Sequence, residues 1–185
     1  MITTKCIGEL IEEFDIRNKD GKVNEFYGIN VKKEFMPTLA DTSTVDSSKY
    51  KIIKKDDFVF SGMQTGRDKK IRIGLFKMDE GIVSPAYTTF KIKDRNVIRP
   101  EFFFMNFLRD EMDRYGWFLS DSSIRANLDW ERFLDIKISF PNISIQDKYI
   151  SIYEAIIRVK RLNERIQKIC PVLIRKANQD GGVKS

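Results

Sequence analysis

The amino-acid sequence predicts an α+β fold: a small mixed sheet with helices packed on it, followed by a long coiled-coil-like C-terminal helix. Three observations lead there. Short runs rich in β-branched and aromatic residues, bounded by turn residues, recur through the first half of the 185-residue chain. A helical spacing of apolar residues begins at Pro100. From about Ile145 to Cys170 the chain has neither Gly nor Pro, and its apolar residues recur at alternating steps of three and four.

In chain order, "EFYGINVKKEF" (25–35) reads as a strand after the turn "NKDGK", and "MPTLADTSTVDSS" (36–48) as a loop. "YKIIKKDDFVF" (50–60) reads as strand, acidic turn, strand. The polar segment "SGMQTGRDKK" then leads into "KIRIGLF" (70–76), and "TTFKIK" (88–93) supplies another strand, with turns at "DEG" (79–81) and "SP" (84–85). Pro100 and Glu101 suit the first turn of a helix, where no amide partner is needed and the dipole favours an acid. That helix should end before Gly116. A short helix at "DWERFL" and a strand "DIKISF", stopped by Pro141, complete a body over residues 1–143. The helix expected over 144–171 places Tyr149, Ile152, Ile156, Val159, Ile166 and Cys170 on one seam, with Asn163 filling the gap. At 1.5 Å per residue, 145–170 gives a rod of roughly 36–39 Å. Pro171 should end or kink it, leaving a frayed tail over 172–185.

The formal charge is +6, unevenly spread: 49–72 and 147–185 each carry a net +5, against −3 for 1–48 and −1 for 73–146. Two basic blocks point to an anionic partner. The absence of histidine removes the commonest general base, imidazole-dependent triads and most zinc sites. Two distant cysteines build no structural zinc site, and scattered acids suggest no metal ligand set, so no cofactor is expected. With no signal-peptide pattern and no long apolar run, the expected setting is a reducing cytoplasm, away from membranes.

The glycine-bracketed loop is the first candidate site. It fails the phosphate-loop pattern, because three residues rather than four separate Gly62 from Gly66 and Arg67 follows. It suits nucleic acid better: Gln64 can pair with adenine, Arg67 or Arg72 with guanine, and Lys69 and Lys70 can hold phosphates, with Thr65 among them. The competing reading is a solvated hairpin whose charges keep an edge soluble. Ser122, Ser123, Arg125 and Asn127 form a second polar cluster, fit either for phosphate or for helix capping. Tyr87 is placed to touch a base or sugar, or to pack within a strand. On the long helix, Asn163 at a seam position would set register with a partner helix, flanked by Arg158, Lys160, Arg161, Arg165 and Lys168.

The segments "KKDDFVFSG", "GIVSPAYTTFKI", "IRPEFFFMNFL" and "SSIRANLDWERFLDIKISFPNISIQ" resemble, in this order, a target recognition domain of the specificity subunit of type I restriction–modification enzymes. The long helix resembles that family's conserved spacer helix, and the likeness covers roughly 1–170. The resemblance implies a non-catalytic subunit that reads half of a split double-stranded DNA site and holds methyltransferase and restriction subunits. Two departures stand out: Ile145 precedes Gln146 where the family usually has Glu, and the chain carries one recognition domain and one helix where a full-length subunit has two of each. A half-sized subunit could restore the arrangement as a homodimer through the helix. The DNA-binding set implied is Gln64, Thr65, Arg67, Lys69, Lys70, Arg72, Tyr87, Ser123 and Arg125. The rival from another class is an assembly subunit that binds the methyltransferase through its helix without reading DNA. No methyltransferase signature is present.

Overall fold

The computed structural model describes residues 2–38, 45–63, 65–121 and 127–182. The chain divides into two compact units, Met1–Gln146 and Asp147–Ser185. In the first unit, β1 (Thr3–Cys6), α1 (Ile7–Leu10) and β2 (Ile11–Phe14) precede β3 (Phe26–Ile29) and β4 (Phe35–Pro37). β5 (Lys51–Lys54) and β6 (Phe58–Ser61) lead into the one-turn helix α2 (Thr65–Asp68). β7 (Arg72–Leu75), β8 (Glu80–Val83) and β9 (Thr88–Ile92) follow, then α3 (Pro100–Asn106), α4 (Asp110–Leu119), α5 (Trp130–Leu134), β10 (Lys137–Phe140) and α6 (Ile143–Asp180).

The class is α+β, with the strands divided among three sheets. One is four-stranded in the order β2-β9-β6-β7, one four-stranded in the order β4-β3-β8-β5, and β1 pairs with β10. The second is mixed, since β3 runs parallel to β8. Strand β6 explains why the core forms between them. Phe58 and Phe60 join an aromatic cluster with Phe90, Phe103, Phe107 and Phe133. Val59, pointing the other way by the two-residue period of a strand, joins Ile29, Ile53, Phe76 and Val83. A strand buried on both faces reads as an unbroken apolar run, and "FVF" is one.

The structure departs from the sequence expectation at five places. The predicted strand 25–35 is a hairpin, because the Asn30 side chain accepts from the amides of Lys32 (2.8 Å) and Glu34 (3.0 Å), and Lys33 turns at φ 66°. "DEG" is no turn: Glu80 and Gly81 open β8, whose Ile82 and Val83 are fully buried between β3 and β5. The N-terminal β1–α1–β2 was not foreseen. The helix from Pro100 breaks at 107–109, where Arg109 is extended, and α4 then runs through Gly116. A Cβ at Gly116 would collide with Ile71, so glycine there serves close packing rather than helix termination.

The fifth departure is in the arm. α6 continues through Pro171 to Asp180. Proline removes one amide donor, but its surroundings are exposed, so water can satisfy the Gln167 carbonyl left without a partner. The three-four seam therefore continues past Cys170 to Leu173 and Ala177 on helix. The first turn of α6 belongs to the first unit and is held there by Gln146, which is fully buried. Its amide donates to the carbonyls of Val97 (3.0 Å) and Pro141 (2.8 Å) and accepts from the amide of Arg99 (2.9 Å).

Candidate nucleic-acid interface

Two polar loops that are distant in sequence meet at Gly62. The Leu128 amide donates to the Gly62 carbonyl at 2.9 Å, and a Cβ on Gly62 would strike the Leu128 carbonyl oxygen. Only glycine allows that approach. Beside it, the segment between Asp121 and Asn127 is closed at its base: the Asp121 amide donates to the Asn127 carbonyl at 2.9 Å, and the Asn127 amide to Asp121 Oδ1 at 3.0 Å. The fold thus sets the mouth of the glycine-bracketed loop against the ends of the serine–arginine cluster. Gln64, Ser123 and Arg125 themselves lie outside the described residues.

From Gly62 the chain rises into α2. Thr65 is fully buried, and its hydroxyl donates to the Gly62 carbonyl at 2.9 Å, so it closes the turn instead of facing outward. Arg67 is exposed, its Nε 3.3 Å from Asp68 Oδ1. Asp68 also takes an ion pair from Arg72, the first residue of β7. Burial alone would raise the Asp68 carboxyl, but hydrogen bonds from Arg72 and Arg67 outweigh it and hold it below the usual carboxylate range.

Lys69, exposed and at φ 52°, carries its ammonium 4.8 Å from the centroid of the Trp117 ring on α4. Lys70 is turned toward α4: its Nζ lies 3.3 Å from Asp110 Oδ1 and 3.0 Å from Asp113 Oδ2. Hydrogen bonds to Asp113 and Asp110 raise its pKa. Asp113, only 3% exposed, is the hub of this group. Both its oxygens receive the buried Lys33 ammonium at 2.8 Å, and Oδ1 also accepts the Ile71 amide at 2.9 Å. Burial lowers the Lys33 pKa in spite of that partner. The hub fastens the β3–β4 turn, α4 and the start of β7 to one carboxylate.

Tyr87 is half-buried against the second cluster. Because Phe60 pairs with Thr88, the register puts Tyr87 beside the end of β6 from which the glycine loop departs. On α6, Tyr149, Ile152, Ile156, Val159 and Ile166 are all about half exposed, and Asn163 is exposed among them.

The sequence therefore located the cations but not their partners. Asp68, Asp113 and Lys33 were missed. Asp68 closes α2 and Arg72 opens β7, so the chain reversal at Lys69, not a helical spacing, brings them together. Lys33 and Asp113 stand 80 positions apart, and no local pattern connects them. Chemically, this face offers exposed donors and positive charge on a pinned frame.

A family model described as the type I restriction modification DNA specificity domain matches residues 5–169. No curated protein matches. Among solved structures, the chain is similar to the HsdS subunit from Thermoanaerobacter tengcongensis, at 17% identity and a TM-score of 0.60, covering 97% of this chain and 49% of that one. It is also similar to the type I restriction–modification system S subunit from M. genitalium, at 14% identity and 0.57, covering 92% and 43%. A third similar chain comes from work on complex assembly and conformational transition of the type I R-M system, at 10% identity and 0.56, covering 97% and 44%. The chain spans a little under half the length of each, and at these identities the likeness is one of fold.

Proposed function

We propose, for a chain that belongs to the type I restriction modification DNA specificity domain family, that it reads one half-site of double-stranded DNA as the non-catalytic specificity component of a restriction–modification assembly. The observation that carries this reading is the family match running through both the recognition body and most of the long helix. Arg67 and Lys69, exposed beside the joined loops, are the described side chains best placed for base or phosphate contact, with Gln64, Ser123 and Arg125 in the segments those loops carry. Thr65, Lys70 and Arg72 support the loop from within, and Tyr87 lines its edge. Cations on phosphates supply most of the affinity and make it salt-dependent. The apolar seam of α6, from Tyr149 through Ile166, docks the methyltransferase subunits or a second copy of the helix, with Asn163 setting register.

The test is a duplex-binding measurement on the assembled complex, with cognate sequence found by selection from a randomised pool. Arg67→Ala should cost roughly 1–3 kcal/mol of discrimination if the guanidinium reads guanine, and should cost cognate and scrambled duplexes equally if it holds phosphate. A second reading is favoured by the engagement of Lys70 and Arg72 with acidic neighbours: an assembly subunit that occupies the methyltransferase through α6 and reads no DNA. Helix-dependent capture of the methyltransferase with no sequence preference in the complex would decide for it. Sedimentation of wild type against Asn163→Leu tests the homodimer; an unchanged monomer in both would remove it.

A further inference from the structure

The C-terminal half of α4 carries an apolar group that no sequence motif marked. Phe118 is 80% exposed and Trp117 is 47% exposed, with Tyr115 half exposed nearby. The helix buries Asp113 and Gly116, so Phe118 sits on the opposite face and Trp117 on the flank toward α2. A phenylalanine left this open at the end of a well-packed helix is unusual when the same body buries Phe58, Phe76, Phe90, Phe103, Phe107 and Phe133 completely. Cations interleave with it. Lys69 lies over the Trp117 ring, and Arg114, exposed, shares the outward face one turn before Phe118. The acids of α4 lie toward its other end: Asp110 and Asp113 are engaged by Lys70, and Glu111 pairs with Arg109 at 3.7 Å.

We propose that Phe118 and Trp117 form an aromatic contact element of the duplex-binding face, Phe118 meeting bases or deoxyribose in a groove while Trp117 holds the Lys69 ammonium at a phosphate. The inference rests on the DNA-reading function above and extends it to residues of α4. Aromatic side chains next to cations suit a duplex, whose grooves offer deoxyribose and base edges as apolar surface between regularly spaced negative charges. The centre of a protein–protein contact is instead depleted of charge. Because Lys69 needs its left-handed backbone and the ring beneath it to hold its position, Trp117 is a positioning residue for Lys69, whereas Phe118 touches the ligand.

The chain supplies its own probe, since Trp117 and Trp130 are the two tryptophans and Trp130 packs among Phe60, Phe90 and Phe133. The full chain is titrated with a pool of randomised 30-base-pair duplexes at low salt, following tryptophan emission and anisotropy of labelled DNA. Wild-type emission should be quenched, and Trp117→Phe should abolish the quench. Phe118→Ala should weaken binding about tenfold with an unchanged slope of affinity against salt, because an apolar contact releases no counterion. Lys69→Ala should weaken binding and reduce that slope by about one. Circular dichroism melting of each variant separates loss of binding from loss of fold. If wild type binds and Phe118→Ala binds equally well, the aromatic element is refuted and the DNA reading stands. If Phe118→Ala instead loses capture of a methyltransferase subunit at unchanged duplex affinity, the face belongs to a protein and the proposal fails. If wild type shows no duplex binding here, the aromatic element is refuted for the chain alone, and the measurement on the assembled complex decides the DNA reading separately.

Discussion

Two carboxylates organise the candidate interface, and they respond differently to change. Asp113 is buried with Lys33, and the pair fastens three segments. Breaking such a pair is costly because the surviving charge is left without a partner. Asp113→Ala should lower unfolding free energy by about 3–5 kcal/mol, with the Ile71 amide also orphaned, as read from urea denaturation. Replacing both partners together, Lys33→Met with Asp113→Leu, should recover part of that loss, because desolvation of two charges disappears with them while the Ile71 amide stays without its acceptor. A double-variant cost equal to the sum of the two single-variant costs would mean that the pair is not coupled. Asp68 is sensitive to acid. Its folded pKa lies below its ordinary value of 3.8, so its stabilising contribution is complete above that pH and is lost as pH falls through the lower folded value. The stability difference between wild type and Asp68→Asn should therefore shrink on acidification below about pH 4, followed by thermal melting across an acid series. At neutral pH the same variant frees Arg67 and Arg72 from their shared anion.

Elements that carry their own stop and start signals were legible in the sequence. The "KKDD" turn between β5 and β6, the proline opening α3 and the proline after β10 each impose a local backbone constraint, and each stands where expected. Elements defined by tertiary packing were not. β8 begins in residues that look like a turn, and only burial between β3 and β5 makes it a strand. The apolar spacing at Phe103, Phe104, Phe107, Leu108, Met112 and Tyr115 runs on across the break between α3 and α4, so periodicity alone could not reveal the interruption. The same holds at the candidate site: a cation is visible in a sequence, but whether it faces solvent or a buried acid depends on residues far along the chain. Pro171 taught the opposite lesson, for its local signal was strong and solvent exposure overrode it. Pro171→Ala should raise local helix stability, by up to about 3 kcal/mol, and the gain should appear as slower amide exchange in the last turns of α6. Unchanged exchange there would show that the helix had already compensated for the missing donor.

For the molecule as a whole, the division at Gln146 makes a prediction about where the chain can be cut. A truncation after Gln146 keeps the amide that binds Val97, Arg99 and Pro141, whereas a truncation after Asn142 removes it. The longer form should melt within a few degrees of the full chain, and the shorter should melt roughly 5–10 °C lower. Matching melts for the two would mean that the glutamine does not hold the body together. The crossing of Gly62 and Leu128 has a different consequence. The bond from the Leu128 amide to the Gly62 carbonyl joins backbone to backbone, and the side chains that support it, Thr65 and Asp121, lie outside residues 63–64 and 122–126. A library randomised at residues 63–64 and 122–126 should yield mostly folded proteins, giving evolution or an engineer a way to retarget the molecule by exchanging fingertips and keeping the hand.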